Sequence, residues 1–71
     1  MSEKHFVKFI VHTAKIIQNE PLPPEALEHA LEGNWANFRE FHISGDLLVI
    51  YRIDESILNL VRIGSHAELF G

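Results

Sequence analysis

The sequence predicts an α+β fold, an N-terminal helix followed by a three-stranded antiparallel sheet. Three observations carry this. Apolar residues recur at helical spacing up to residue 18, the period switches to two after residue 37, and two short polar turns separate the apolar runs that follow.

The helix is expected over residues 3–18. Phe6, Ile10, Ala14 and Ile17 repeat at i, i+4, i+8 and i+11, and Val7 and Val11 widen that stripe into the expected core face. Ser2 can cap the first turn, where Glu3 sits well against the helix dipole. Asn19 and Pro21 stop the helix. Phe9 and Ile16 fall outside the stripe and would face water, so this helix wants more than one neighbour.

A connector follows over residues 19–34. Pro21-Leu22-Pro23-Pro24 reads as extended chain, residues 25–31 as a short helical turn with Pro24 at its first position, and Gly33-Asn34 as a break. The sheet occupies residues 37–63. Its first strand, residues 38–43, alternates Phe38, Glu40 and His42 on one face with Arg39, Phe41 and Ile43 on the other. Ser44-Gly45-Asp46 turns the chain into residues 47–53, so apolar that they must be a central strand buried on both faces. Asp54-Glu55-Ser56 turns it back into residues 57–63. Residues 64–71 close the chain as a C-terminal turn, with His66 to Phe70 as one helical turn. Residues 1–71 therefore read as one domain.

Composition narrows the function classes. A core of 71 residues is marginal, and with no cysteine the chain must rely on dense packing, self-association or a partner protein. Ten acidic against six basic residues give a net charge of −4, a poor match to a polyanion on charge alone. Five histidines shift that balance only below neutral pH. No apolar run spans a bilayer and the N-terminus lacks a secretory core, so a soluble cytoplasmic protein with no membrane contact is expected.

The chemistry-bearing candidates are His29, Glu40, His42, Asp46, Arg52, Arg62 and His66. In a meander the end of the third strand lies beside the start of the second, which brings His66 back to Asp46 and His42. These three are expected within about 10 Å of one another, close enough to serve one phosphate. Three readings of the cluster stay open: ordinary surface groups, a His/Asp metal site without a tight ligand motif, and general acid–base catalysis. Trp35 and Phe38 read as core or as a stacking platform, and Arg52 and Arg62 as solvated strand ends.

The run His29-Ala30-Leu31-Glu32-Gly33-Asn34-Trp35, then Phe38-Arg39-Glu40-Phe41-His42-Ile43, then Asp46-Leu47-Leu48-Val49-Ile50-Tyr51-Arg52, then Arg62-Ile63-Gly64-Ser65-His66-Ala67-Glu68-Leu69-Phe70 resembles the YafQ branch of the RelE/ParE toxin superfamily. The resemblance implies a ribosome-dependent endoribonuclease that cuts mRNA through its 2′-hydroxyl, needs neither metal nor other cofactor, and pairs with an antitoxin. By position it puts catalytic or RNA-contacting roles on His29, His42, Asp46, His66 and Phe70, with Arg62 in support and an acidic residue at Glu40. Such toxins begin with a further edge strand and a long helix and are usually basic. This chain is expected to be a shortened form lacking those elements. The rival reading is a relative with impaired cleavage that binds an antitoxin or itself, as a homodimer pairing helices or sheet edges.

Overall fold

The computed structural model describes residues 1–70, and Gly71 of the expected C-terminal turn lies outside the described residues. Helix α1 spans Glu3–Ile17, with the Ser2 hydroxyl accepting from the His5 amide at 3.1 Å as its cap. A single 3-10 turn, Pro24–Ala26, replaces the longer helical turn expected there. Strand β1, His29–Ala30, comes next, followed by a second 3-10 turn at Gly33–Trp35. Strands β2 (Arg39–Ser44), β3 (Leu47–Asp54) and β4 (Ile57–Gly64) form the meander, and helix α2 (His66–Phe70) closes it.

The sheet thus has four strands in the order β1-β2-β3-β4, all antiparallel, where the sequence pointed to three. The extra strand is two residues long, too short to show a period, and exists because His29 and Ala30 pair with Glu40 and Arg39. The expected central strand is correct: Leu48, Val49, Ile50 and Tyr51 are all buried. Phe41, Ile43, Val49 and Tyr51 face α1 and form the main core with Ala26. Leu48 and Ile50 alternate onto the opposite face.

Helix α1 is rotated away from its expected face. Phe9 and Ile16 pack on the core and His12 is buried, whereas Phe6, Val7, Ile10, Val11 and Ile17 are exposed. The link to the sheet sets the rotation. Ile16 and Leu22 both pack on the core, and Asn19 makes the reversal between them at φ 59°. The residues sharing the Ile16 side of the helix must then point inward, although the stripe left outside is the more apolar one. His12 consequently meets Phe41 edge-on at 5.7 Å, with its Nδ1 buried and unpartnered.

Away from the helix, Glu28 accepts from Arg39 Nη2 at 2.8 Å and from Tyr51 Oη at 2.5 Å, with a second bond from Arg39 Nε. This clamp ties the connector to β2 and β3 just before His29. The Arg39 hydrogen bond holds the Glu28 carboxyl below the usual carboxylate range, and burial pushes the Tyr51 phenol up to about 12.

Burial first, then Lys8, lowers the pKa of His12 below its ordinary value. A depressed folded value means that the folded chain binds fewer protons than the unfolded one as pH falls below about 6.5, so stability is lost in that direction. Urea midpoints at pH 7.5 and 5.5 are expected to fall further for the wild type than for His12→Leu. Equal drops in the two proteins would show that His12 does not carry this acid sensitivity.

Candidate active site

Glu40 is the second residue of β2, on the face away from α1, and is 2% exposed. Its register places His29 directly across on β1 and Ile50 across on β3. His42 follows two residues later on the same strand face. His66 arrives from the other side as the first residue of α2. The three imidazoles gather on one carboxylate oxygen. His42 Nε2 hydrogen-bonds Glu40 Oε2 at 3.1 Å, and the Nε2 atoms of His29 and His66 lie 3.7 and 3.9 Å from the same atom.

Local contacts aim each ring. His29 Nδ1 donates to the Leu27 carbonyl at 2.7 Å, which leaves the lone pair of the neutral ring on Nε2. Helix α2 opens with a reciprocal capping box: the Ser65 hydroxyl accepts from the Glu68 amide at 3.2 Å, and the Glu68 carboxylate from the Ser65 amide at 2.8 Å. Asp46, in the β2–β3 turn, accepts from the His66 amide at 3.3 Å and lies 3.8 Å from its Nδ1. The His42 and His66 rings are 5.6 Å apart, so the expected convergence of His42, Asp46 and His66 is present.

The remaining expected residues sit around this cluster. The Phe70 ring is 5.6 Å from that of His66 and 5.8 Å from that of Trp35. Arg62 shares the sheet face but lies over the Trp35 ring at 5.8 Å, rather than against the histidines. Sequence reasoning missed the Glu28 clamp, whose members are 11 and 23 residues apart. It also missed the capping box, although Ser65-His66-Ala67-Glu68 spells one. Single ligand atoms of Glu40, His42 and His66 all lie within 4.8 Å of one another, a donor set suited to a divalent ion.

A family model described as "Bacterial toxin of type II toxin-antitoxin system, YafQ" matches residues 2–71. The chain belongs to the YafQ toxin family. It is 39% identical over 51 residues to the mRNA interferase toxin YafQ of Escherichia coli K12, a match covering 72% of this chain and 55% of that protein. The chain thus spans about half the length of the curated YafQ that it matches. Among solved structures, a copper-bound mutant toxin from Helicobacter pylori superposes with a TM-score of 0.83 at 37% identity, covering 99% of this chain and 76% of that one. YafQ in the E. coli DinJ–YafQ toxin–antitoxin complex superposes with a TM-score of 0.81 at 34% identity, covering 93% and 74%. This YafQ-family chain is therefore a homologue of an mRNA interferase, and none of its described helices is long and apolar enough to cross a membrane.

The capping box predicts how firmly His66 is held. Glu68→Ala is expected to weaken α2 by about 1 kcal/mol, and amides of residues 66–70 to exchange roughly fivefold faster. Amides of β3 should be unaffected. Unchanged exchange in α2 would show that packing alone holds the helix.

Proposed function

We propose that this chain is an mRNA endoribonuclease toxin that cuts translated messages on the ribosome in the cytoplasm. The observation that carries this reading is the set of histidines gathered on the buried Glu40 carboxylate. In the proposed reaction the 2′-oxygen attacks the adjacent phosphorus and the bond to the 5′-oxygen breaks, giving a cyclic phosphate and a 5′-hydroxyl. One group must accept the 2′ proton and another must protonate the leaving oxygen.

The side chains of His29 and His66 are 52% and 53% exposed, while those of His42 and Glu40 are only 13% and 3% exposed beneath them. His29 is assigned as the base, because Nε2 keeps its lone pair when Nδ1 donates to Leu27. His66 is assigned as the acid, because its two nitrogens face Glu40 and Asp46, the arrangement into which an imidazolium donates. Glu40 and His42 orient these rings, Asp46 holds His66, Arg62 offsets charge on the phosphorane, and Phe70 presses on a base. No proposed step requires a metal. The copper-bound relative supports a second use of Glu40, His42 and His66, as ligands that take up a divalent ion in competition with RNA. The DinJ–YafQ complex supports an antitoxin as protein partner.

Assembly has its own observation. The exposed α1 stripe forms a ridge beside two apolar hollows, one lined by Phe9, Leu60 and Ile63 and the other by Ile16, Ile53 and Leu58. We propose that a second copy of the chain covers this face, the ridge of each copy lying against the hollows of the other about a two-fold axis. Phe6, Val7, Ile10, Val11 and Ile17 are each between 45% and 67% exposed, an apolar stripe of the kind that monomers rarely leave in water.

Both readings are testable. In a translation-coupled cleavage assay, His66→Ala and His29→Ala are each expected to lower cleavage by about 10² or more, while wild-type cleavage should persist in chelator. Full cleavage by folded His66→Ala would overturn the assignment. In sedimentation at micromolar concentration the wild type should run as a dimer and Ile10→Asp as a monomer. A monomeric wild type would remove the self-association reading.

A further inference from the structure

The Glu40 cluster occupies one end of the sheet face opposite α1. The rest of that face carries a connected row of rings. His66 leads to Phe70 at 5.6 Å, Phe70 to Trp35 at 5.8 Å, and Trp35 to Phe38 at 5.3 Å, the last two pairs edge-on. Each end of the Trp35–Phe38 pair carries a guanidinium. Arg62 lies 5.8 Å above the Trp35 ring and Arg52 lies 5.3 Å above the Phe38 ring.

Strand register accounts for this spacing. Glu40, Ile50 and Arg62 stand in one row across β2, β3 and β4, and Arg52 lies two residues farther along β3 on the same face. The two arginines are therefore about 8 Å apart at their backbones by strand geometry, and Arg52 is the more distant from the histidines. Neither is used by the fold in the way the other cations are. Lys4, Lys8 and Lys15 are on α1, and Arg39 is held in the Glu28 clamp. Arg62 has no acidic partner within ion-pair distance among the described residues. Arg52 has only an exposed pair with Asp54 at 3.6 Å, and its Nε is buried with no acceptor. The Arg52 side chain as a whole is 43% exposed, so its terminal guanidinium donors can meet a phosphate oxygen.

We propose that Arg52 over Phe38, with Trp35 beside it, binds the backbone and bases of single-stranded RNA beyond the cleavage point, next to the scissile phosphate that Arg62 meets, so that the strand runs from His66 across Phe70 and Trp35 toward Phe38. This rests on the endoribonuclease reading for its ligand and for the roles of His66, Arg62 and Phe70, and adds Arg52, Trp35 and Phe38 to them. The chemistry fits single strands in particular. Successive bases can stack on Phe70 and on the guanidinium planes, and the phosphates meet two fixed cations in an otherwise acidic chain. Two cations alone give weak binding, and specificity for unpaired RNA comes from the rings.

The test uses a short 2′-O-methyl RNA strand, which lacks the attacking hydroxyl and so reports binding without cleavage. Trp35 is the chain's single tryptophan, so quenching of its fluorescence reads occupancy of this site directly. Saturable quenching is expected with the single strand and not with the same sequence as a duplex. Arg52→Gln should weaken binding about five- to tenfold, the scale of one charge-assisted hydrogen bond, and lower the slope of log K against log salt by about 0.7. Lys8→Gln on the opposite face should change neither, and urea midpoints of both variants establish that they are folded. Arg52→Lys, which keeps charge but loses the plane, should retain the salt slope and lose part of the affinity. Equal effects of the Arg52 and Lys8 substitutions, or no quenching, would overturn the inference. Arg52-dependent quenching from a chain that never cleaves a message would overturn the nuclease reading and leave this surface standing.

Discussion

A carboxylate buried in the middle of a sheet is expensive unless something answers its charge, and Glu40 is such a group. One hydrogen bond, from His42, meets it directly. His29 and His66 flank the same oxygen at 3.7 and 3.9 Å, and their positions depend on separate pieces of the fold. His29 requires the two-residue β1 to pair in register with β2, and the Glu28 clamp on Arg39 and Tyr51 delivers the connector to that pairing. His66 requires β4 to end at Gly64 and α2 to begin at once, with Ser65 and Glu68 capping each other and Asp46 anchoring the first amide. Much of the irregular structure outside the meander thus serves one oxygen atom.

The same requirement divides the labour between the two faces of the sheet. The face toward α1 is an ordinary apolar core built on Phe41, Ile43, Val49 and Tyr51. The opposite face buries Leu48 and Ile50 and carries the polar cluster together with the rings of Trp35, Phe38 and Phe70. Aromatic side chains suit that position because their edges pack while their faces remain available to guanidinium groups. The arrangement lets an acidic chain concentrate two of its six cations, Arg52 and Arg62, on one face, held in place by rings rather than averaged over the whole molecule.

Helix α1 shows how far a tertiary constraint can override a local pattern. Its most apolar stripe points outward because Ile16 and Leu22 must both reach the core within a short link. The cost appears inside as the unpartnered ring of His12 and outside as a ridge of exposed apolar residues. A surface of that kind is rare on an isolated monomer.

The sequence by itself determined the α+β class, the three long strands, the faces of the first two, the buried central strand, and the convergence of His42, Asp46 and His66. These follow from period, turn chemistry and meander topology, which are local or nearly so. The faces of the last strand it misjudged, because a bulge opposite Ile50 and Tyr51 brings Ile63 onto the face of Leu58 and Leu60. His29 and Glu40 were legible as candidates, and the resemblance put roles on them by position, with no statement of how they meet. Tertiary structure alone decided the rotation of α1, the existence of β1, the Glu28–Arg39–Tyr51 clamp and the gathering of the histidines on Glu40. The reason is common to all four. Each depends on contacts between residues far apart in the chain, where the energy of a pairing is set by register and burial, and a run of neighbouring letters carries no record of either.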